Sequence, residues 1–182
     1  DQIYQGLDEE KHINDYVGER FIEVVGGLDV GYRDENCFVV IGFDGTNYYV
    51  IDEYVSREST TSELAEVVKE KQDEWSIDAI YIDSAAQQTK ADFAYDYDIY
   101  CENAIKSVND GISSVQTLIE QDRLLFDTEG GAHSYAAMSS YKWNPNTDNP
   151  KPVHDWCSHP CDAIRYAIYT HQKMSAISVF TG

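Results

Sequence analysis

The sequence predicts an α/β domain built on a mixed sheet with helices on its faces. Two observations lead there. Three consecutive runs rich in Val, Ile, Phe and Tyr occupy residues 21–54 with only short turns between them, and from residue 60 onward helical and strand periodicities alternate. Strands first and alternation later describe an antiparallel meander continued by parallel units. At 182 residues, 42% of them hydrophobic, the chain is long and apolar enough for one domain with one sizeable core.

Residues 1–20 are mostly polar and begin without Met, so they are expected to be a linker, or a short helix, leading in from a longer chain. Phe21–Val30, Asn36–Phe43 and Asn47–Tyr54 are the three meander strands. Asp44-Gly45 between the last two signals a primed hairpin turn. Thr60-Thr61-Ser62-Glu63 has the form of a capping box, and Leu64, Val67, Val68 and Trp75 then recur at helical spacing. Ala79–Asp83 is the next strand, reached by a crossover that favours parallel pairing.

Ile99–Ala104 follows as a fifth strand. A helix capped by Asn109 comes next, carrying Ile112, Val115, Leu118 and Ile119, and then a short strand over Arg123–Phe126. Between Thr128 and Pro152, Gly130-Gly131, Asn144-Pro145-Asn146 and Asn149-Pro150 bracket Ser134–Trp143. This stretch is expected to be a β-hairpin excursion that gates the site, with Lys142 toward the substrate. The last helix is placed over Cys161–Lys173, burying Ala163, Ile164, Ala167 and Ile168. The globular domain is thus expected over residues 21–175, with 176–182 as a tail.

Charge limits what the chain can hold. Thirty-three acids face 13 bases, a net charge of −20, whereas polyanion-binding surfaces show as basic patches. A nucleic-acid substrate would therefore need to be held largely by another domain or a partner. The four cysteines, Cys37, Cys101, Cys157 and Cys161, follow no secreted framework and read as reduced, buried thiols of a cytosolic protein. No apolar run approaches the ~20 residues that span a bilayer, so no membrane association is expected.

Three acids carry the chemistry. Asp29 sits at the end of the first strand, Asp83 at the end of the fourth, and Asp162 at the start of the last helix. Each has an ordinary alternative: a strand-end turn for Asp29, an N-cap for a helix over residues 85–95 for Asp83, and a first-turn acid paired with Arg165 for Asp162. Together, however, they are hard oxygen donors suited to Mg²⁺ or Mn²⁺. Two such ions ~3.5–4 Å apart can activate a water and stabilise the leaving oxygen of a phosphodiester. Asp29 is the expected bridging ligand. His159, Asp34 and Glu35 are candidate supporting residues, and Lys142 and Lys151 candidate DNA contacts. His154, Cys157, His159 and Cys161 also admit a zinc reading, although their spacing is tighter than in usual zinc sites.

The chain resembles the C-terminal nuclease domain of the large terminase subunit of tailed bacteriophages. The resemblance rests on Leu28-Asp29-Val30-Gly31, Ile82-Asp83-Ser84, Ile112–Arg123, Ser140-Tyr141-Lys142-Trp143 and His159-Pro160-Cys161-Asp162-Ala163-Ile164-Arg165-Tyr166-Ala167. It implies a ribonuclease-H-like fold and a metal-dependent endonuclease that cuts concatemeric viral DNA in the bacterial cytoplasm. The implied partners are double-stranded DNA, an N-terminal ATPase domain of the same polypeptide, the portal protein and the small terminase subunit. No Gly-x-x-x-x-Gly-Lys-Ser/Thr loop is present, so no ATP site is assigned here. Another ribonuclease-H-like nuclease (a ribonuclease H or a junction resolvase) and a non-catalytic module docking on a portal are the competing readings.

Overall fold

A computed structural model describes every residue except Val17, Tyr32, Asp34, Thr147 and Gly182; for residues 178–181 it describes the backbone alone. The described residues form one sheet of seven strands and six helices. The meander is β2 (Glu23–Asp29), β3 (Glu35–Phe43) and β4 (Tyr48–Arg57), paired antiparallel with Gly26 opposite Val40 and Val39 opposite Glu53. Asp44 holds its turn by accepting from the amides of Thr46 and Asn47, and Gly45 adopts the positive φ of +100° that the turn requires.

Helix α2 (Thr61–Trp75) starts where expected, with the Thr60 hydroxyl accepting from the Glu63 amide. It leads to β5 (Ala79–Ile82), which pairs parallel with β2 rather than with β4, so the crossover passes over two strands. Helix α3 (Gln87–Tyr97) and β6 (Cys101–Asn103) complete that edge. Helix α4 (Val108–Glu120) follows directly from Ser107, which leaves Asn109 inside the first turn and not at the cap. Strand β7 (Leu124–Asp127) then returns to pair parallel with β4.

Two expectations change. Residues 132–140 of the expected hairpin are helix α5 (Ala132–Ser140), burying Ser134, Ala137 and Met138. Its exposed amides are satisfied from across the fold, where the Glu53 carboxylate of β4 accepts from His133 and Ser134. The hairpin itself is a small two-stranded excursion further on. Lys142 receives the Val153 amide and Lys151 the Asn144 amide, and Trp143 bridges Pro152.

The N-terminal segment also differs from a linker. Ile3 and Tyr4 are buried, helix α1 (Glu9–His12) follows, and β1 (Ile13–Asn14) adds a parallel edge strand beside β7. The fully buried His12 fastens it. Its Nδ1 accepts from the Asp8 amide, so Nε2 carries the proton toward the Asp122 carboxylate 2.8 Å away.

Helices α2 and α3 pack on one face of the sheet, and α4, α5 and α6 (Ser158–Thr181) on the other. α6 extends past both expected ends, taking in the segment read as a tail. Pro160 is tolerated in its first turn, where an amide would find no helical partner. α6 crosses β2 at very short range. A Cβ on Gly27 would lie 2.0 Å from the Ala163 carbonyl oxygen and 3.1 Å from the Ala167 methyl. Gly27→Ala is therefore expected to push α6 off the sheet and cost about 1–3 kcal/mol. Gly18→Ala, where nothing lies within 4 Å of the added carbon, serves as the control. Thermal unfolding of the two variants side by side checks this; an unchanged Tm for Gly27→Ala would refute the close contact.

Candidate active site

The last residue of β2, the turn after β5 and the second turn of α6 meet at one end of the sheet. Asp29 belongs to the row of β2 residues that faces α6, and it is buried, with 7% of its surface exposed. His159 on α6 reaches it, Nδ1 lying 3.0 Å from the Asp29 carboxylate. Desolvation raises the Asp29 carboxyl above its usual range, and His159 opposes that rise. Because α6 already includes His159, this residue and Asp162 lie three apart on one helical face.

Asp83 follows β5. Its Oδ1 accepts from the Ala85 amide and its carbonyl from the Ala86 amide, which shapes the turn ahead of α3; the helix itself starts at Gln87 after Ala86, so Asp83 is not its N-cap. The same Oδ1 is 2.6 Å from Lys106 Nζ, on the loop after β6. Asp162 likewise keeps its alternative partner, receiving Arg165 Nη2 at 3.0 Å. Burial first, and then the Asp29 charge, push its carboxyl up to about 6 against the pull of Arg165. The local explanation weighed for Asp162 thus coexists with a shared site, while the one weighed for Asp83 gives way to a turn ahead of α3.

Tyr166 gathers the three. Its buried hydroxyl is raised first by desolvation, then by the charges of Asp29, Asp162 and Asp83. Each acid has its own base: Asp29 has His159, Asp83 has Lys106, and Asp162 has Arg165. Among the described residues no three His, Cys, Asp or Glu side chains close into a group that grips a metal ion. The aspartates are therefore neighbours, each compensated by its own base. The zinc arrangement is not formed, and Cys157 and Cys161 are buried thiols that burial pushes up.

The remaining candidates divide. Glu35 opens β3 and pairs with Arg57 Nε at 3.3 Å, in the wall of a cavity that His159 also lines. Asp34 lies outside the described residues. Lys151 lines a second cavity together with Asp162 and Arg165, whereas Lys142 is exposed on the excursion. Sequence reasoning missed Lys106, whose only local signal is a cation directly after a strand.

Asp127 gives a contrast. It too ends a strand and is buried, but its carboxylate is taken up by the amides of Tyr16, Glu129 and Gly130. A strand-end acid with backbone partners on both oxygens is a structural part. Asp29 is instead held by a histidine and feels the charge of Asp83, as Asp162 feels that of Asp29.

Fold and site together describe a ribonuclease-H-like domain with acids presented from two strands and the closing helix. Residues 26–170 match the family model described as the terminase RNaseH-like domain. The chain is 35% identical to the large terminase subunit of Escherichia phage T5 over 183 residues, covering 93% of this chain and 42% of that protein. It thus spans about two fifths of that relative's length. Its structure resembles the large terminase of a thermophilic bacteriophage (TM-score 0.83, 21% identity), with 94% of this chain and 44% of that one covered. The nuclease domain of the bacteriophage SPP1 large terminase, with bound Mn, matches at a TM-score of 0.68 and 22% identity, covering 91% and 97%. The chain belongs to the terminase RNaseH-like domain family.

The raised carboxyl of Asp162 has a sign that can be tested. An acid whose folded pKa lies above its unfolded value adds nothing below the unfolded pKa and costs stability as pH rises through both values. Asp162→Asn keeps the oxygen that receives Arg165 and removes that cost. In EDTA the variant is expected to match the parent below about pH 4. Above pH 6 it should be more stable by about 1–2 kcal/mol. Urea titrations at both ends of this window check it; an equal gain at both ends would contradict the electrostatic origin.

Proposed function

We propose that this chain is the endonuclease part of a large terminase subunit and cuts concatemeric double-stranded viral DNA during packaging in the bacterial host cytoplasm. The observation that carries the reading is the approach of Asp29, Asp83 and Asp162 from β2, the turn after β5 and α6, in a chain of the terminase RNaseH-like domain family. The Mn bound to the SPP1 nuclease domain supports divalent cations as cofactors.

The donor set fits such ions, being carboxylate oxygen throughout, in a place where burial and mutual repulsion already raise two of the acids. Asp29, Asp83 and Asp162 would hold two Mg²⁺ or Mn²⁺, with Asp29 shared between them. Ions bound there would lower the pKa of a water and stabilise the leaving 3′-oxygen.

The chain's other residues prepare that arrangement. His159 fixes the Asp29 carboxylate from α6. Arg165 donates to the carbonyl of Lys106 and to Asp162, tying the loop after β6 to the catalytic helix. Lys106 compensates Asp83 until cations take over that role and is then available to a DNA phosphate. Lys151, beside Asp162 in the wall of one cavity, and the exposed Lys142 would supply backbone contacts. The net charge of −20 means that the chain alone binds duplex weakly, which favours an ATPase domain of the same polypeptide, the portal and the small terminase subunit as the partners that bring DNA to it.

Plasmid nicking by the chain should require Mn²⁺ or Mg²⁺ and vanish in EDTA. Asp29→Ala, Asp83→Ala and Asp162→Ala should each reduce it to background while circular dichroism shows an intact fold. Cleavage that persists in EDTA would overturn the metal mechanism, and a fully active variant would remove its residue from the site.

A further inference from the structure

One large aromatic ring beside the acids is left in water. Trp156, in the turn before α6, is 43% exposed and packs one side against the His133 ring at 5.6 Å. It lines a cavity of about 360 Å³ whose other walls include Arg33, Arg57, His154 and His159. That volume lies within the range of ligand pockets. His159 is also the residue that holds Asp29, so the cavity lies one side chain away from that carboxylate.

The cavity carries both signs, with Arg33 and Arg57 set among the carboxylates of Glu35, Glu58 and Asp155. Arg57 has 81% of its side chain exposed and is tethered to Glu35 through Nε, which leaves the outer edge of the guanidinium toward solvent. Arg33 is exposed at the rim. One oxygen of Asp155 accepts from the Cys157 amide and one oxygen of Glu35 from Arg57, while Glu35 Oε2 is buried with no hydrogen-bond partner. The two guanidiniums are exposed, as is Glu58 beside them, and they are two of only 13 bases in the chain. A guanidinium fork matches phosphate geometry, and an indole face matches any nucleobase.

His154 also lines the neighbouring cavity, where Lys151, Asp162 and Arg165 lie. The two cavities share His154 as a wall; the first holds Trp156 and the two arginines, and the second, lined also by Val108, Pro150 and Pro152, takes in Asp162.

We propose that Trp156 is a stacking platform for one unpaired base of the strand being cut, with Arg33 and Arg57 on the phosphates beside it. In a duplex both faces of a base are covered by its neighbours, so a base resting on the indole must have left the stack. The inference rests on the nuclease reading and deepens it: the substrate at the moment of cutting is a locally melted strand. The contacts are sequence-tolerant, because stacking uses the ring face and the arginines use phosphates.

Binding of a fluorescent oligothymidylate, measured in EDTA by anisotropy and by quenching of Trp fluorescence, tests the platform independently of cleavage. Trp156→Ala is expected to weaken binding about tenfold at every salt concentration and to abolish the Trp156 share of the quenching, while Trp156→Phe restores most of the affinity. Arg33→Gln and Arg57→Gln should instead flatten the salt dependence by about 0.7 each per phosphate lost. The effect of Trp156→Ala on a blunt duplex of the same length should be smaller. Equal affinity of Trp156→Ala and the parent for oligothymidylate overturns the proposal, and so does an equal loss on duplex and single strand. Separately, a parent chain that binds and quenches as expected but never cleaves with Mn²⁺ would sink the nuclease reading and leave the platform standing.

Discussion

The contact between β2 and α6 is the constraint on which the site depends. The Ala163 carbonyl occupies the space where a side chain on residue 27 would stand, so helix and strand meet backbone to backbone. Asp29 lies two residues beyond Gly27, and Asp162 immediately precedes Ala163. A larger residue at 27 would move the helix and carry His159, Asp162, Arg165 and Tyr166 away together. The approach explains how α6 can supply both the residue that holds Asp29 and the acid that repels it. The parallel pairing of Leu28 with Ile82 then brings Asp83 alongside.

Electrostatics work against stability at this point and for function. Burial raises Asp29 and Asp162, so both carboxylates are held where ionisation is disfavoured. His159, Lys106 and Arg165 soften the repulsion one acid at a time. A cluster of this kind is a poor choice for a stable core and a good one for attracting cations, since charge from a bound ion removes the cost. Strain of this sort is common at functional sites, where the rest of the fold must compensate for it.

The parts of the fold visible in the sequence are those set by neighbours along the chain. The meander follows from its alternating and β-branched runs, the turn from Asp44-Gly45, and the α2 start from Thr60 with Glu63. Strand ends and the final helix likewise mark Asp29, Asp83 and Asp162 as candidates. Segments whose support comes from far away are not legible in this way. α5 is capped by Glu53 of β4, and between its Gly and Pro flanks nothing local announces a helix. β1 is two residues long and exists because β7 offers an edge. Lys106 meets Asp83 only after β5 and β6 have paired.

The acidic composition also resolves once the carboxylates are sorted by what they touch. Asp127 gives its oxygens to three amides, Glu53 closes the start of α5, and Asp52 receives both Lys71 and the Trp75 indole. These acids do structural work as acceptors, and their charge says nothing about partners. By the same sorting, Arg33, Arg57, Lys106, Lys151 and Arg165 line the site or its cavities. If the proposed site is right, these bases would hold phosphate locally on a chain of net charge −20 whose remaining surface repels it. On the proposed reading such a surface would suit a nuclease, because a strand not seated against those bases would be pushed away from the acids proposed to cut it.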